Sequence, residues 1–275
     1  MTQVWNFTDV EFKVLWERHS DSPLPPPMVF LSRTPMLEDF EREKYGAWQH
    51  LQATLDSSFD GVLETLLRPD VFVVLHGWND REMENPHKRI RLYAARSGLR
   101  GYVLTQLPGE TVLHSGGYTI TECDPRALAD AVVRAMPTAE AGRRFRNVPI
   151  AGGPATQQGG WAESDQLYRP GGSLVSESVE LGASSDGLSE RFFAVPATMT
   201  GGISVSQGRS KYGRRGILEE IMVWRDLPDD GRYVFVLDHA PTAMGIGSRH
   251  LTVKLAASID RILERMETHR EWEVR

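Results

Sequence analysis

The stretch that most restricts the possible folds is residues 216–239, GILEEIMVWRDLPDDGRYVFVLDH. Two apolar runs, 221–224 and 233–237, flank Asp229-Asp230-Gly231. An acidic pair followed by glycine suits a tight connection, because glycine takes positive φ without steric cost. The pattern predicts a β-hairpin. Side chains alternate along a strand, so Tyr233, Phe235 and Leu237 share one face and Val234 and Val236 the other, while Met222 and Trp224 oppose Ile221 and Val223. Both faces are apolar. Strands at the centre of a sheet covered on two sides have that character, as do strands whose second face meets a partner.

Composition narrows the setting. A chain of 275 residues, 40% of them hydrophobic, buries roughly three quarters of its unfolded surface. No apolar run reaches the roughly 20 residues of a membrane helix, so no membrane span is expected. The first residues, MTQVWNFTDVEFK, lack the basic and apolar regions of a secretory signal, and the single Cys123 excludes an internal disulfide. A cytoplasmic location is expected. The formal net charge of −6 argues against an extended nucleic-acid surface.

Read in order, Thr8 and Glu11 form a capping box with Phe7 placed to pack on Phe12, which predicts a helix to about His19 with Phe12, Leu15 and Trp16 facing a core. Prolines at 24–27 break regularity, and 28–31 is a short strand candidate. Leu37, Phe40, Trp48, Leu51 and Leu55 predict one or two helices, and 62–67 a short one closed by Pro69. From Asp70 the period changes: 71–78 reads as a strand, 79–88 as a charged loop, 90–95 and 101–107 as a strand pair, and 111–114 as a fourth, shorter strand. Asp124-Pro125 then opens a helix to about Met136. In the second part, 203–207 is a strand, 188–195 a short helical piece, and Leu251, Leu255, Ile259, Ile262, Leu263 and Met266 the stripe of a final helix. Between the parts, 142–187 is rich in Gly, Ser and Gln, the composition of a flexible connector.

The two parts have the same order of elements. Tyr102 and Tyr233 lie 131 residues apart, and the same spacing aligns Val103 with Val234, Leu104 with Phe235, Leu128 with Ile259, Ala131 with Ile262 and Ala135 with Met266. A duplicated ββββα unit is expected, with pseudo-twofold symmetry.

Catalytic patterns are sparse. There is no His-Glu-x-x-His, Cys-x-x-Cys, Gly-x-Ser-x-Gly or GxGxxG. Asp238 and His239, as strand neighbours, point to opposite faces and fit a turn. His76 and His114 have no third ligand at a recognisable spacing. Cys123, beside a helix start where a thiolate is favoured, has no identifiable base. Arg143, Arg144 and Arg146, and Arg209, Lys211, Arg214 and Arg215, read as solvated loop charge. No catalytic residue, metal site or cofactor is expected.

The runs Gly201-Gly202-Ile203-Ser204-Val205, Tyr212-Gly213-Arg214-Arg215, Val223-Trp224-Arg225-Asp226 and Gly231-Arg232-Tyr233-Val234 resemble the C-terminal signature of the EspG family, chaperones of type VII (ESX) secretion. The first part agrees in element order, ending Ala135-Met136-Pro137 before Ala141-Gly142-Arg143. The resemblance implies a mixed α/β (α+β) fold: quasi-twofold halves and a central, largely antiparallel sheet flanked by helical bundles. It further implies one domain over 1–275, with repeats at about 1–141 and 188–275 joined by the 142–187 connector. The implied activity is non-catalytic: covering the apolar helical tip of a PPE-type substrate, usually paired with a PE protein, so that it stays soluble until export. In the family the contact surface uses the sheet, the loop between the second and third strands, and the C-terminal bundle. By position that loop is Asn79, Asp80, Arg81, Glu82, Met83, Glu84, Asn85, Pro86, His87 and Lys88, with Met83 its apolar contact, and Trp224 and Phe235 lie in the matching strands. Two departures stand out: 151–188 holds little of the expected helical sequence, and 242–248 lacks a Gly-Trp-Thr-like element. The chain would act as a monomer or homodimer. An adaptor of the same fold with another protein partner, and a hydrolase or transferase whose residues converge only in space, are the alternative readings.

Overall fold

The computed structural model describes residues 2–150, 186–208 and 217–273. The first half opens with a strand, β1 (Val4–Phe7), and helix α1 (Asp9–His19). The capping box forms as expected: Glu11 N–H donates to Thr8 Oγ1 at 3.2 Å and Thr8 N–H to Glu11 Oε2 at 2.8 Å. Phe7 and Phe12 pack with ring centroids 6.2 Å apart. Helices α2 (Leu37–Thr54) and α3 (Asp60–Leu67) follow, then strands β2 (Val71–Trp78), β3 (Arg89–Ser97), β4 (Arg100–Pro108) and β5 (Ser115–Cys123), and helix α4 (Leu128–Arg134). Asp124 accepts from Arg126 N–H at 2.8 Å, and Pro125 opens a 3-10 turn that leads into α4.

The second half comprises a two-residue strand, β6 (Val148–Pro149), helix α5 (Asp186–Phe193), strands β7 (Met199–Gln207), β8 (Glu219–Leu227), β9 (Gly231–Val236) and β10 (Thr242–Gly245), and the long helix α6 (Ser248–Glu273). All ten strands join one sheet in the order β1-β5-β4-β3-β2-β7-β8-β9-β10-β6. The described pairings between strands are antiparallel. The halves meet where β2 pairs with β7, with Leu75 opposite Ile203 and Gly77 opposite Gly201. No helix among the described residues is long and apolar enough to cross a membrane.

Helices α4 and α6 lie on one face of the sheet and share a core with Val73, Leu75, Ala94, Val103, Ile203, Met222, Trp224 and Val234. Trp224 explains the paired glycines beneath it. A Cβ at Gly201 would meet the indole Nε1 at 2.7 Å and one at Gly77 its ring at 2.8 Å, so the bare backbones make room for the ring. On the opposite face the cover differs between halves. Phe12, Leu15 and Trp16 of α1, Leu51 of α2 and Val62, Leu63 and Leu66 of α3 pack on Tyr93, Tyr102, Leu104, Tyr118 and Ile120. Over the second half Phe192 of α5 and the coil residues Phe145 and Ala197 pack with Val148 on Val223, Tyr233, Phe235 and Ala243. Each buried large apolar side chain contributes about 1.5–3 kcal/mol before cavity effects.

The 216–239 prediction resolves into β8 and β9, closed by Pro228-Asp229-Asp230, with Asp229 at φ 57° and Gly231 at φ 152°. Both faces are apolar because both are covered; the hairpin lies one strand away from the sheet's centre, which is the β2–β7 pair. Tyr102 and Tyr233 sit on the second face, and Val103 and Val234 on the first.

Several expectations are corrected. Residues 28–31 form no strand: Val29 N–H donates to Gln106 Oε1 at 2.9 Å and its carbonyl accepts from the Tyr118 hydroxyl at 2.5 Å, so side chains replace a ladder. Residues 111–114 are a turn, with His114 N–H donating to Thr111 O at 3.2 Å, and the fourth strand is β5. Gly116-Gly117 masked its start, although Tyr118 and Ile120 alternate inward beyond them. Strands β1 and β6 were not anticipated. On α2 only Leu51 is buried, and Leu37, read as part of the stripe, is 73% exposed. The connector from 151 to 185 and the Arg209, Lys211, Arg214 and Arg215 cluster lie outside the described residues.

Candidate partner-binding site

The 79–88 loop leaves β2 at the junction of the two halves. Its first two residues are anchored across that junction. Asn79 Nδ2 donates to Thr198 O at 2.8 Å, and its Oδ1 accepts from the N–H groups of Arg81 and Glu82 at 2.9 and 3.1 Å, closing an Asx turn. Asp80 Oδ2 accepts from Ala197 N–H at 2.9 Å and from Arg225 Nη2 at 3.2 Å. Further along, Asn85 Nδ2 donates to Glu82 Oε2 at 2.7 Å, and Asn85 Oδ1 accepts from His87 N–H at 3.0 Å as Pro86 starts a 3-10 turn. Arg89 closes the loop by donating Nη2 to Met83 O at 2.7 Å. Arg81, Glu82, Glu84, His87 and Lys88 are exposed, whereas Asn79, Asp80, Met83, Asn85 and Pro86 are half-buried. The loop thus presents charge at its tip on a framework of side-chain-to-backbone bonds.

Arg225 is the residue that sequence reasoning missed. Its guanidinium also donates to the carbonyls of Phe192 and Val195, both at 2.8 Å. Its charge lies over the rings of Phe192 and Phe193 at 5.2 and 5.0 Å. Burial lowers its pKa, and Asp80 opposes that shift. Asp80 and Arg225 are 145 residues apart, so neither local spacing nor periodicity could pair them.

Trp224 and Phe235, the two sheet positions, are 0% and 5% exposed and belong to opposite faces. Their side chains are packing groups that support the surface around them.

The positions considered for chemistry are dispersed. Burial, then the charges of Arg91 and Arg89, holds the His76 imidazole neutral with a pKa of about 3. Burial, then Asp124, pushes the Cys123 thiol up to about 11, so the adjacent helix start does not favour a thiolate. The His114 ring bonds Thr111 Oγ1 at 2.9 Å, and Asp238 Oδ1 accepts from Ala240 N–H at 3.0 Å in the expected strand-end turn. Among the described residues no group of three His, Cys, Asp or Glu is placed to hold a metal ion.

Comparison with known proteins gives three findings. No curated protein sequence matches the chain. Among solved structures it is similar to the Mycobacterium tuberculosis type VII secretion system chaperone EspG5, solved in complex with a PE25-PPE41 dimer, at 11% identity over 96% of each chain with a TM-score of 0.48. The sequence model of the EspG family matches residues 8–255, from the cap of α1 through both halves of the sheet and into α6, and the chain therefore belongs to the EspG family.

Proposed function

We propose that this chain is a cytoplasmic, non-catalytic chaperone that binds a PE/PPE-type substrate of a type VII (ESX) secretion system and keeps it soluble. The observation that carries the reading is the family match over 8–255. The chemistry of the site is consistent with binding: the loop offers a charged rim around Met83. A rim of charge around apolar contact is the anatomy of a protein interface. In the same reading residues 1–275 form one EspG-like domain with internal repeats at about 1–141 and 188–275, and residues 79–88 contribute to the partner surface. Trp224 and Phe235 contribute by holding the β8–β9 backbone in place.

Co-expression with PE/PPE-type pairs from the same genome tests the function. The expected result is a complex that co-elutes in size-exclusion chromatography, with the heterodimer insoluble when expressed alone. Absence of any complex across all candidate pairs overturns the reading. A chain in which 81–88 is replaced by a Gly/Ser linker, leaving Asn79 and Asp80 in place, should melt as the parent does and bind about tenfold or more weakly, as expected for loss of an interface centre. Unchanged affinity removes the loop from the site.

A further inference from the structure

We infer that Arg225, acting through Asp80, is a positioning residue that locks the 79–88 loop to the connection between α5 and β7, so that loop and connection form one preordered partner surface. The inference rests on the reading of that loop as part of the partner surface.

Arg225 lies on β8, yet every hydrogen bond of its guanidinium leaves the strand. Nη1 donates to Phe192 O, and Nη2 donates to Val195 O and Asp80 Oδ2. Its side chain is 5% exposed and that of Asp80 22%. The group therefore ties three separate pieces of chain together at a point where solvent gives little competition. A guanidinium fork can address several acceptors at fixed angles, which a lysine ammonium on a flexible stem cannot. Asp80 accepts Ala197 N–H with the same oxygen, and Asn79 binds the neighbouring Thr198 carbonyl. Two consecutive loop residues are thus bonded to two consecutive residues of the connection. The turns farther along the loop are local, closed by Asn79, Asn85 and Arg89. They set the loop's shape but not its position relative to the second half. Ordering a loop during association costs affinity, and a loop ordered beforehand avoids that cost. The Arg225–Asp80 contact supplies such order.

Hydrogen exchange by mass spectrometry on the free full chain tests this directly. The proteins are wild type, Asp80→Asn, Arg225→Gln and Arg225→Lys. Amides of 81–88 should exchange about tenfold or more faster in Asp80→Asn and Arg225→Gln as the local opening equilibrium shifts, with β2 and β3 unchanged. Arg225→Lys, which keeps the charge and loses the fork, should fall between them and wild type. Affinity for the PE/PPE-type heterodimer that co-purifies with the wild-type chain should weaken in the same order. Asp80→Asn retains an acceptor for Ala197 N–H, so it reads the positioning effect with the fold intact. Wild-type exchange in both Asp80→Asn and Arg225→Gln overturns the inference, as does faster exchange with unchanged affinity. If no heterodimer binds wild type, the chaperone reading fails, and the exchange pattern still decides whether Arg225 orders the loop.

Discussion

The two halves of the sheet solve the same covering problem by different means. In the first half the second face lies under helices, and the contact is aromatic and aliphatic: Trp5, Phe7, Phe12, Phe59 and Tyr118 meet at ring-centroid distances between 4.4 and 6.2 Å. In the second half, among the described residues, coil replaces much of the helix. The second half also holds the buried charged residues: among the described residues the buried aspartates, glutamates, lysines and arginines are Arg225 on this face, and Asp226 and Arg232, which follow the alternation of Trp224 and Val234 onto the face shared with α4 and α6. Arg232 is paired through Nε and Nη2 with both oxygens of Asp226 at 2.7 Å, and its Nη2 also reaches Pro137 O at 2.7 Å. Asp230 accepts from the N–H groups of Arg143 and Arg144 at 2.7 and 3.2 Å, and from the Tyr233 hydroxyl at 2.6 Å, while that hydroxyl accepts from Phe145 N–H at 2.9 Å. For Arg225, which bonds Phe192 O and Val195 O, and for Asp230, the cause is the coil itself. A helix satisfies its own backbone, so its cover needs only an apolar stripe; a coil packed on a sheet leaves carbonyls and N–H groups that must find side-chain partners.

The largest effect in the second half is expected at Arg232, on the face it shares with Trp224 and α4. Arg232→Ala strands a buried Asp226 carboxylate, and the expected loss is about 3–5 kcal/mol in urea unfolding. The double change Asp226→Leu with Arg232→Met should recover most of it, since a packed apolar pair replaces a buried ion pair with little penalty. A single-mutant loss below about 1 kcal/mol, the range of exposed pairs, would show that the second half does not depend on its charges.

In the first half Leu66→Ala, at a 1% exposed position, should cost about 2–5 kcal/mol. Its amide-exchange signature should stay in α3 and the strands beneath it, leaving 141–148 protected. Spread into 141–148 would mean that the two covers are one cooperative unit. Thr8→Ala removes half of the capping box and should cost about 1 kcal/mol, read as a lower melting temperature with the fraying confined to α1.

The smallest effect concerns pH. Burial pushes the Asp230 carboxyl up, but the N–H groups of Arg143 and Arg144 and the Tyr233 hydroxyl outweigh it and hold the group below its ordinary value of 3.8. A depressed folded-state value means that its stabilisation is present above the unfolded value and is lost as pH falls through the folded one. Acidification below about pH 4 should therefore loosen 143–146 in wild type, and Asp230→Asn should flatten that part of the acid limb. An identical acid limb in the two proteins would remove Asp230 from the account.

Much of the architecture was legible where a rule acts locally. The Thr8–Glu11 box, the Asp124-Pro125 helix start, the β2 strand and the stripe of α6 all follow from neighbours within one or two turns. The strand β5 was obscured by two glycines, and 28–31 carried strand composition without a strand to pair with. At the proposed site, the loop's position and its exposed charges could be read from its sequence, but its anchors could not. Asn79 and Asp80 read as polar loop residues, and only their contacts with 197, 198 and 225 give them a role.

By itself, then, the sequence determined the alternation of the 216–239 hairpin, the tight turn at Asp229-Asp230-Gly231 and the apolar character of both its faces, because strand pleat and turn sterics are properties of adjacent residues. The tertiary structure alone decided what those residues do: Trp224 fills the space left by Gly77 and Gly201, Arg232 closes on Asp226, Asp230 holds 143 and 144, and Arg225 reaches Asp80. Apart from the cross-hairpin Arg232–Asp226 pair, those partnerships join segments far apart in the chain, and burial at their meeting points converts ordinary turn and strand-end charges into the anchors of the fold.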